Sequence, residues 1–116
     1  MPEAPLMPRI LERRRDGRQV TYQLYLAAAL ACFRGHFPDF PILAGVVQIH
    51  WAARLFLDEF GLELDFSHME NIKFKRLVVP EMTVALQLDY DPGRKRLAFL
   101  YQVPEGECSS GRIYWK

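Results

Sequence analysis

Cysteine is scarce: the 116-residue chain holds only Cys32 and Cys108. They form no CxxC pair, and the reading is two free thiols in a reducing compartment. No charge sign dominates either. The formal net charge is +1, which leaves no electrostatic footprint for bulk nucleic-acid binding. The aromatic residues are dispersed through core positions and are not set beside basic ones, as base stacking would need. The apolar run at residues 24–33 is only ten long, about half a membrane span. The N-terminus lacks a charged-then-apolar export pattern. An HExxH motif, a Gly-rich phosphate loop and a GxSxG elbow are all missing. These absences predict a soluble, cytoplasmic protein with no metal, no nucleic-acid partner and no membrane span.

What is present suits one folded domain over residues 1–116, with residues 1–8 as a loose lead-in carrying three prolines. Half of the residues are apolar, and a chain of this size buries about 65% of its unfolded surface. Residues 10–15 and 18–26 flank Asp16-Gly17 and read as a β-hairpin. Val20, Tyr22, Leu24 and Leu26 share one face of its second strand. The run Arg13-Arg14-Arg15 reads as a charged strand end, or as a contact for an acidic partner. Residues 27–31 are alanine-rich and fit a short turn.

The middle of the chain differs. Pro38 and Pro41 exclude helix and central strand from residues 36–41, and Phe37 and Phe40 make that loop apolar. From Val46 the spacing is helical: Val46, Ile49, Ala53, Phe56, Leu57 and Phe60 form one apolar row, and Val47, Trp51 and Leu55 a second. A helix apolar around most of its circumference is expected to be buried, here under a sheet. Gly61 stops it. One polar stripe remains, His50, Arg54 and Asp58, each four apart. It faces either a site or subunit boundary, or solvent with an Arg54–Asp58 ion pair.

After a connection at residues 62–68, which includes an exposed His68, the pattern returns to strands. Residues 69–79 alternate imperfectly. Residues 82–90 place Val84, Leu86 and Leu88 on one face, and residues 96–103 place Leu97, Phe99 and Tyr101 likewise. Residues 108–115 put Ile113 and Trp115 opposite Tyr114. Asp91-Pro92-Gly93 and residues 104–107 are turns. The layout is α+β, an antiparallel sheet packed on one helix.

The central stretch, Gly35-His36-Phe37-Pro38-Asp39-Phe40-Pro41-Ile42-Leu43-Ala44-Gly45-Val46, resembles the active-site segment of hotdog-fold 3-hydroxyacyl-acyl carrier protein dehydratases. Phe74-Lys75-Arg76-Leu77-Val78-Val79-Pro80 and Gly111-Arg112-Ile113 extend the resemblance over nearly the whole chain. The continuation Val46-Val47-Gln48-Ile49-His50-Trp51-Ala52 looks most like the dehydratase-type proteins of aryl-polyene pathways. The resemblance implies a curved sheet wrapped around one long helix, a homodimer or a higher oligomer built from it, and no cofactor of its own. The substrate would ride on the phosphopantetheine of an acyl carrier protein or on coenzyme A. It makes His36 the base, places Gly45 and Val46 at the thioester carbonyl, adds Phe37 and Arg54 to the substrate contacts, and puts His50 where the family has an acid. Lys73, Lys75, Arg76 and residues 94–96 are candidates to receive an acidic carrier protein, or a solvated basic face.

The chain departs from the family at several points. Position 50 holds histidine, Ala44 replaces a proline, Arg54 stands where glutamine is frequent, and Asp39 and Glu81 replace glycines. A neutral imidazole still donates one N–H to a hydroxyl. The alternatives to a dehydratase are therefore an acyl thioesterase on the same fold and a non-catalytic acyl-thioester or carrier-protein binding module.

Overall fold

Period-two alternation in the sequence becomes a six-stranded antiparallel sheet. The computed structural model describes residues 7–30 and 42–116. The strands are β1 (Arg9–Asp16), β2 (Gln19–Tyr25), β3 (Phe66–Phe74), β4 (Thr83–Asp91), β5 (Arg96–Val103) and β6 (Gly106–Trp115). Their order across the sheet is β1-β2-β4-β5-β6-β3. Helix α1 (Gly45–Phe60) lies over the middle of the sheet, against β4 and β5.

Every position that alternation turned inward on β2, β4 and β5 is buried: Val20, Tyr22 and Leu24, then Val84, Leu86 and Leu88, then Leu97, Phe99 and Tyr101. Ile113 and Trp115 join them from β6. Gly111 belongs to this inner face because a Cβ there would overlap the side chains of Ile72 and Phe99. Phe56 knits helix to sheet, stacked on Trp115 at 5.7 Å and edge-on to Tyr90 at 4.9 Å between ring centroids.

The helix ends as its sequence predicts. Gly61 takes φ 63° and ψ 39°, and the Leu62 N–H bonds back to the Leu57 carbonyl at 3.0 Å. This is a glycine-dependent left-handed stop.

Four local expectations need correction. The hairpin turn centres on Gly17 and Arg18, one residue later than Asp16-Gly17, because Asp16 already pairs with Gln19 and Gly17 supplies the positive φ of 62°. His68 does not sit in a connection. It lies in β3, stacked 4.5 Å from Tyr114 with Nε2 3.4 Å from Glu70. A register shift between Glu70 and Lys73, with Asn71 at φ 54°, interrupts the alternation there. The helix is also buried on one face only, through Gln48, Trp51, Ala52, Leu55 and Phe56, while Val46 is 74% exposed. The sheet covers one side of the cylinder and leaves the other open.

The fourth correction concerns the arginine run. Arg13 and Arg15 cross to the carboxylate of Glu59 near the end of α1, and Tyr22 donates to the same group at 2.9 Å. The Glu59 side chain is only 6% exposed. The run is thus an internal clamp joining β1 to the helix, with Arg14 alone turned outward to Glu12.

Candidate functional site

The site begins where α1 begins. Ala44 precedes the helix with φ −60° and ψ 144° and has no side chain able to cap it. Its carbonyl accepts the N–H groups of Val47 at 3.1 Å and Gln48 at 3.2 Å. The N–H groups of Gly45 and Val46 have no such acceptor among the described residues. A helix start with two open donors and the positive end of its dipole is suited to a developing oxyanion. The sequence places Gly45 there for a steric reason as well. A Cβ on Gly45 would overlap the ring of Phe74, which comes over from the inner face of β3. The open N–H groups therefore sit beside an aromatic wall.

His50 lies further along the same helix on its outward side, exposed and in line with Val46, Arg54 and Asp58. Arg54 and Asp58 form the ion pair that their spacing predicted, 2.9 Å apart and both more than half exposed. Among the described residues no bond holds the His50 ring. His36, Phe37 and Cys32 lie outside the described residues. Cys108 is free and buried, and burial pushes its thiol pKa up.

Two further features bear on the site. A groove of about 590 Å³ runs between Arg54, Asp58 and the turn at residues 61–65. It lies at the far end of α1 from Gly45 and, among the described residues, shares only Arg54 with the expected site. Gln48 is the second, a glutamine 3% exposed on the buried face of the helix. The sequence reading passed over it, although a lone amide between two apolar rows was a visible signal. Among the described residues no group of three or more His, Cys, Asp or Glu is placed to hold a metal ion. No described helix is long and apolar enough to cross a membrane.

The basic residues proposed for carrier docking are partly engaged within the chain. Lys75 pairs with Glu107 at 3.0 Å, Arg76 donates to the Glu105 carbonyl at 3.2 Å, and Arg94 and Arg96 both approach Asp91 at 3.7 Å.

An antiparallel sheet closed over one helix, with an open helix start at its mouth, defines a hotdog-fold protein. The ApeI-like family, described as ApeI dehydratase, matches residues 12–112, and the chain belongs to that family. Among solved structures, the dehydratase heterocomplex ApeI:P from Xenorhabdus doucetiae aligns with a TM-score of 0.88 at 32% identity, over 93% of this chain and 96% of that one. An uncharacterized protein from Erwinia carotovora subsp. atroseptica aligns at 0.84 and 31% identity, over 95% and 96%. The dehydratase domain from the CurK module of curacin polyketide synthase shares the fold, with a TM-score of 0.61 at 17% identity over 97% of this chain and 44% of that one. A 3-hydroxyacyl-[acyl-carrier-protein] dehydratase FabZ from Clostridium novyi is 38% identical over 64 residues, 49% of this chain and 45% of that protein. The chain thus spans about half the length of the curated relatives it matches.

Proposed function

We propose that the protein dehydrates a 3-hydroxyacyl thioester, carried on acyl carrier protein or coenzyme A, to the trans-2-enoyl thioester. The observation that carries this reading is the pair of open N–H groups at Gly45 and Val46, nine and ten positions after His36 in the sequence. His36 takes the α-proton and leaves an enolate whose oxygen accepts from those two donors. The enolate re-forms the carbonyl as the Cα=Cβ bond forms. The Cβ–O bond breaks, and the hydroxyl leaves as water with a proton given by a donor facing it.

In one copy His50 points away from the sheet, so the facing donor comes from another subunit. The working unit is a homodimer or a higher oligomer built from it, with His50 of one copy, in its imidazolium form, facing His36 of the other and giving its proton to the leaving hydroxyl. Lys73, which makes no ion pair among the described residues, adds to a basic face able to steer an acidic carrier protein.

A second reading has support from position 50 itself. Histidine there lacks the carboxylic acid of the family pattern, and the ApeI:P neighbour is a heterocomplex. In this reading the partner is a sister hotdog subunit that brings the acid.

The test is the absorbance of a conjugated enoyl thioester formed from a 3-hydroxyacyl thioester. Turnover is expected from the assembled protein. His36→Ala is expected to lower it by about 10²–10⁴, the usual worth of general acid–base help. Release of free thiol without enoyl product selects a thioesterase instead. Activity that appears only when a sister subunit is added selects the heteromeric reading.

A further inference from the structure

Gln48 is an amide buried on a face otherwise made of Trp51, Ala52, Leu55 and Phe56. An amide so placed is destabilising unless both ends are satisfied. Here both are. Nε2 donates to the Leu43 carbonyl at 3.1 Å, and Oε1 accepts from the Ser109 hydroxyl at 2.5 Å. The backbone carbonyl of Gln48 accepts from the buried Tyr101 hydroxyl at 2.6 Å. Leu43 is held at its other end too, its N–H donating to the Val78 carbonyl at 2.7 Å. One side chain therefore ties the segment before the helix to β6, and the same residue's backbone ties the helix to β5.

The consequence falls on the oxyanion donors. Leu43 and Ala44 are the last two residues before Gly45, so the direction in which the Gly45 and Val46 N–H groups point depends on where Leu43 is anchored. Helical hydrogen bonding alone does not set that direction, because the first N–H groups of a helix have no partners within it. We infer that Gln48 is a positioning residue: its buried amide holds residues 42–44 in the register that aims the Gly45 and Val46 N–H groups at the thioester oxygen. The inference rests on the reading above for its catalytic meaning. The anchoring itself does not depend on that reading.

The decisive variant is Gln48→Glu. A protonated carboxyl has the same shape and offers one donor for the Leu43 carbonyl and one acceptor for the Ser109 hydroxyl. The ionised carboxylate has no donor and sets a negative oxygen against that carbonyl. The expected result is a kcat near that of the parent protein at low pH, falling by about tenfold or more as the carboxyl ionises, with KM little changed. The fall should reverse on return to low pH and be absent from the parent profile. Ser109→Ala, which removes one partner and leaves the Leu43 bond, should give a smaller loss of kcat without the new pH limb.

Amide hydrogen exchange across residues 42–48 is measured in parallel on the same oligomer. Exchange faster than in the parent at these amides, and not across β4 and β5, is expected for Gln48→Glu at the higher pH. Superimposable pH profiles, a change in KM alone, or unaltered exchange at residues 42–48 would each overturn the inference. If the parent protein turns over no 3-hydroxyacyl thioester, the functional reading fails, and the exchange result alone decides whether Gln48 anchors the helix start.

Discussion

Ala44 illustrates how one backbone angle can outlast the residue that would normally enforce it. The related family has proline at this position, and here φ is −60° without one, inside the range that a pyrrolidine ring imposes. The Ala44 N–H makes no bond among the described residues, so a proline would forfeit no contact seen there. Ala44→Pro is therefore expected to raise stability by about 0.4–1 kcal/mol through the unfolded chain, read as a higher urea midpoint with an unchanged slope. A lower midpoint would mean that Leu43 cannot adopt the extended angles that a following proline demands.

Between elements, the Glu59 clamp ties the end of α1 to β1. Bonds from Arg13, helped by Tyr22 and Arg15, hold the Glu59 carboxyl at about 2 against an ordinary value of 4.5, and outweigh the opposing effect of burial. A depressed folded-state value stabilises the protein above the unfolded value and loses that stabilisation as pH falls towards the folded one. Stability should thus drop between about pH 4.5 and pH 2. Glu59→Gln should flatten that limb and weaken the protein at neutral pH by about 1.5–3 kcal/mol, nearer the lower figure because Arg13 and Arg15 keep much of their solvent. Denaturant melts across pH check both outcomes.

This tie was not legible in the sequence. Its partners stand 44 and 46 residues apart, and an arginine run carries no mark of where it points. Strand faces were legible because period two is a local property, and Gly61 because a left-handed stop favours one residue. His68 was misplaced because the β3 bulge breaks the alternation that would have shown a strand. The helix start was readable from Gly45, whereas the Gln48 anchor was not, since its meaning depends on Ser109 and Leu43 arriving from elsewhere.

At the scale of the molecule, one copy leaves apolar side chains open along one edge of the sheet. The inner face of β3 presents Phe66 and Phe74 at 51% and 54% exposure, with Met69 at 42% between them. Val46, beside the helix start, is 74% exposed. A second chain laid along β3 would cover this surface. Sedimentation is expected to show a dimer or larger species, and Met69→Glu is expected to shift it towards the 13.5 kDa single chain, with activity lost in step. A parent protein that sediments as one chain would overturn the homodimer and leave the sister-subunit reading.

The two margins of the sheet are unlike, and that difference limits growth. Along β1 the side chains are mostly ionic, a feature that discourages further strand addition. Along β3 the inner face is apolar, through Phe66, Met69, Ile72 and Phe74. Two molecules joined at their β3 margins would leave only the ionic rims outward, so strand-by-strand extension stops after a single event. Such a contact would then also guard a concentrated solution against fibres.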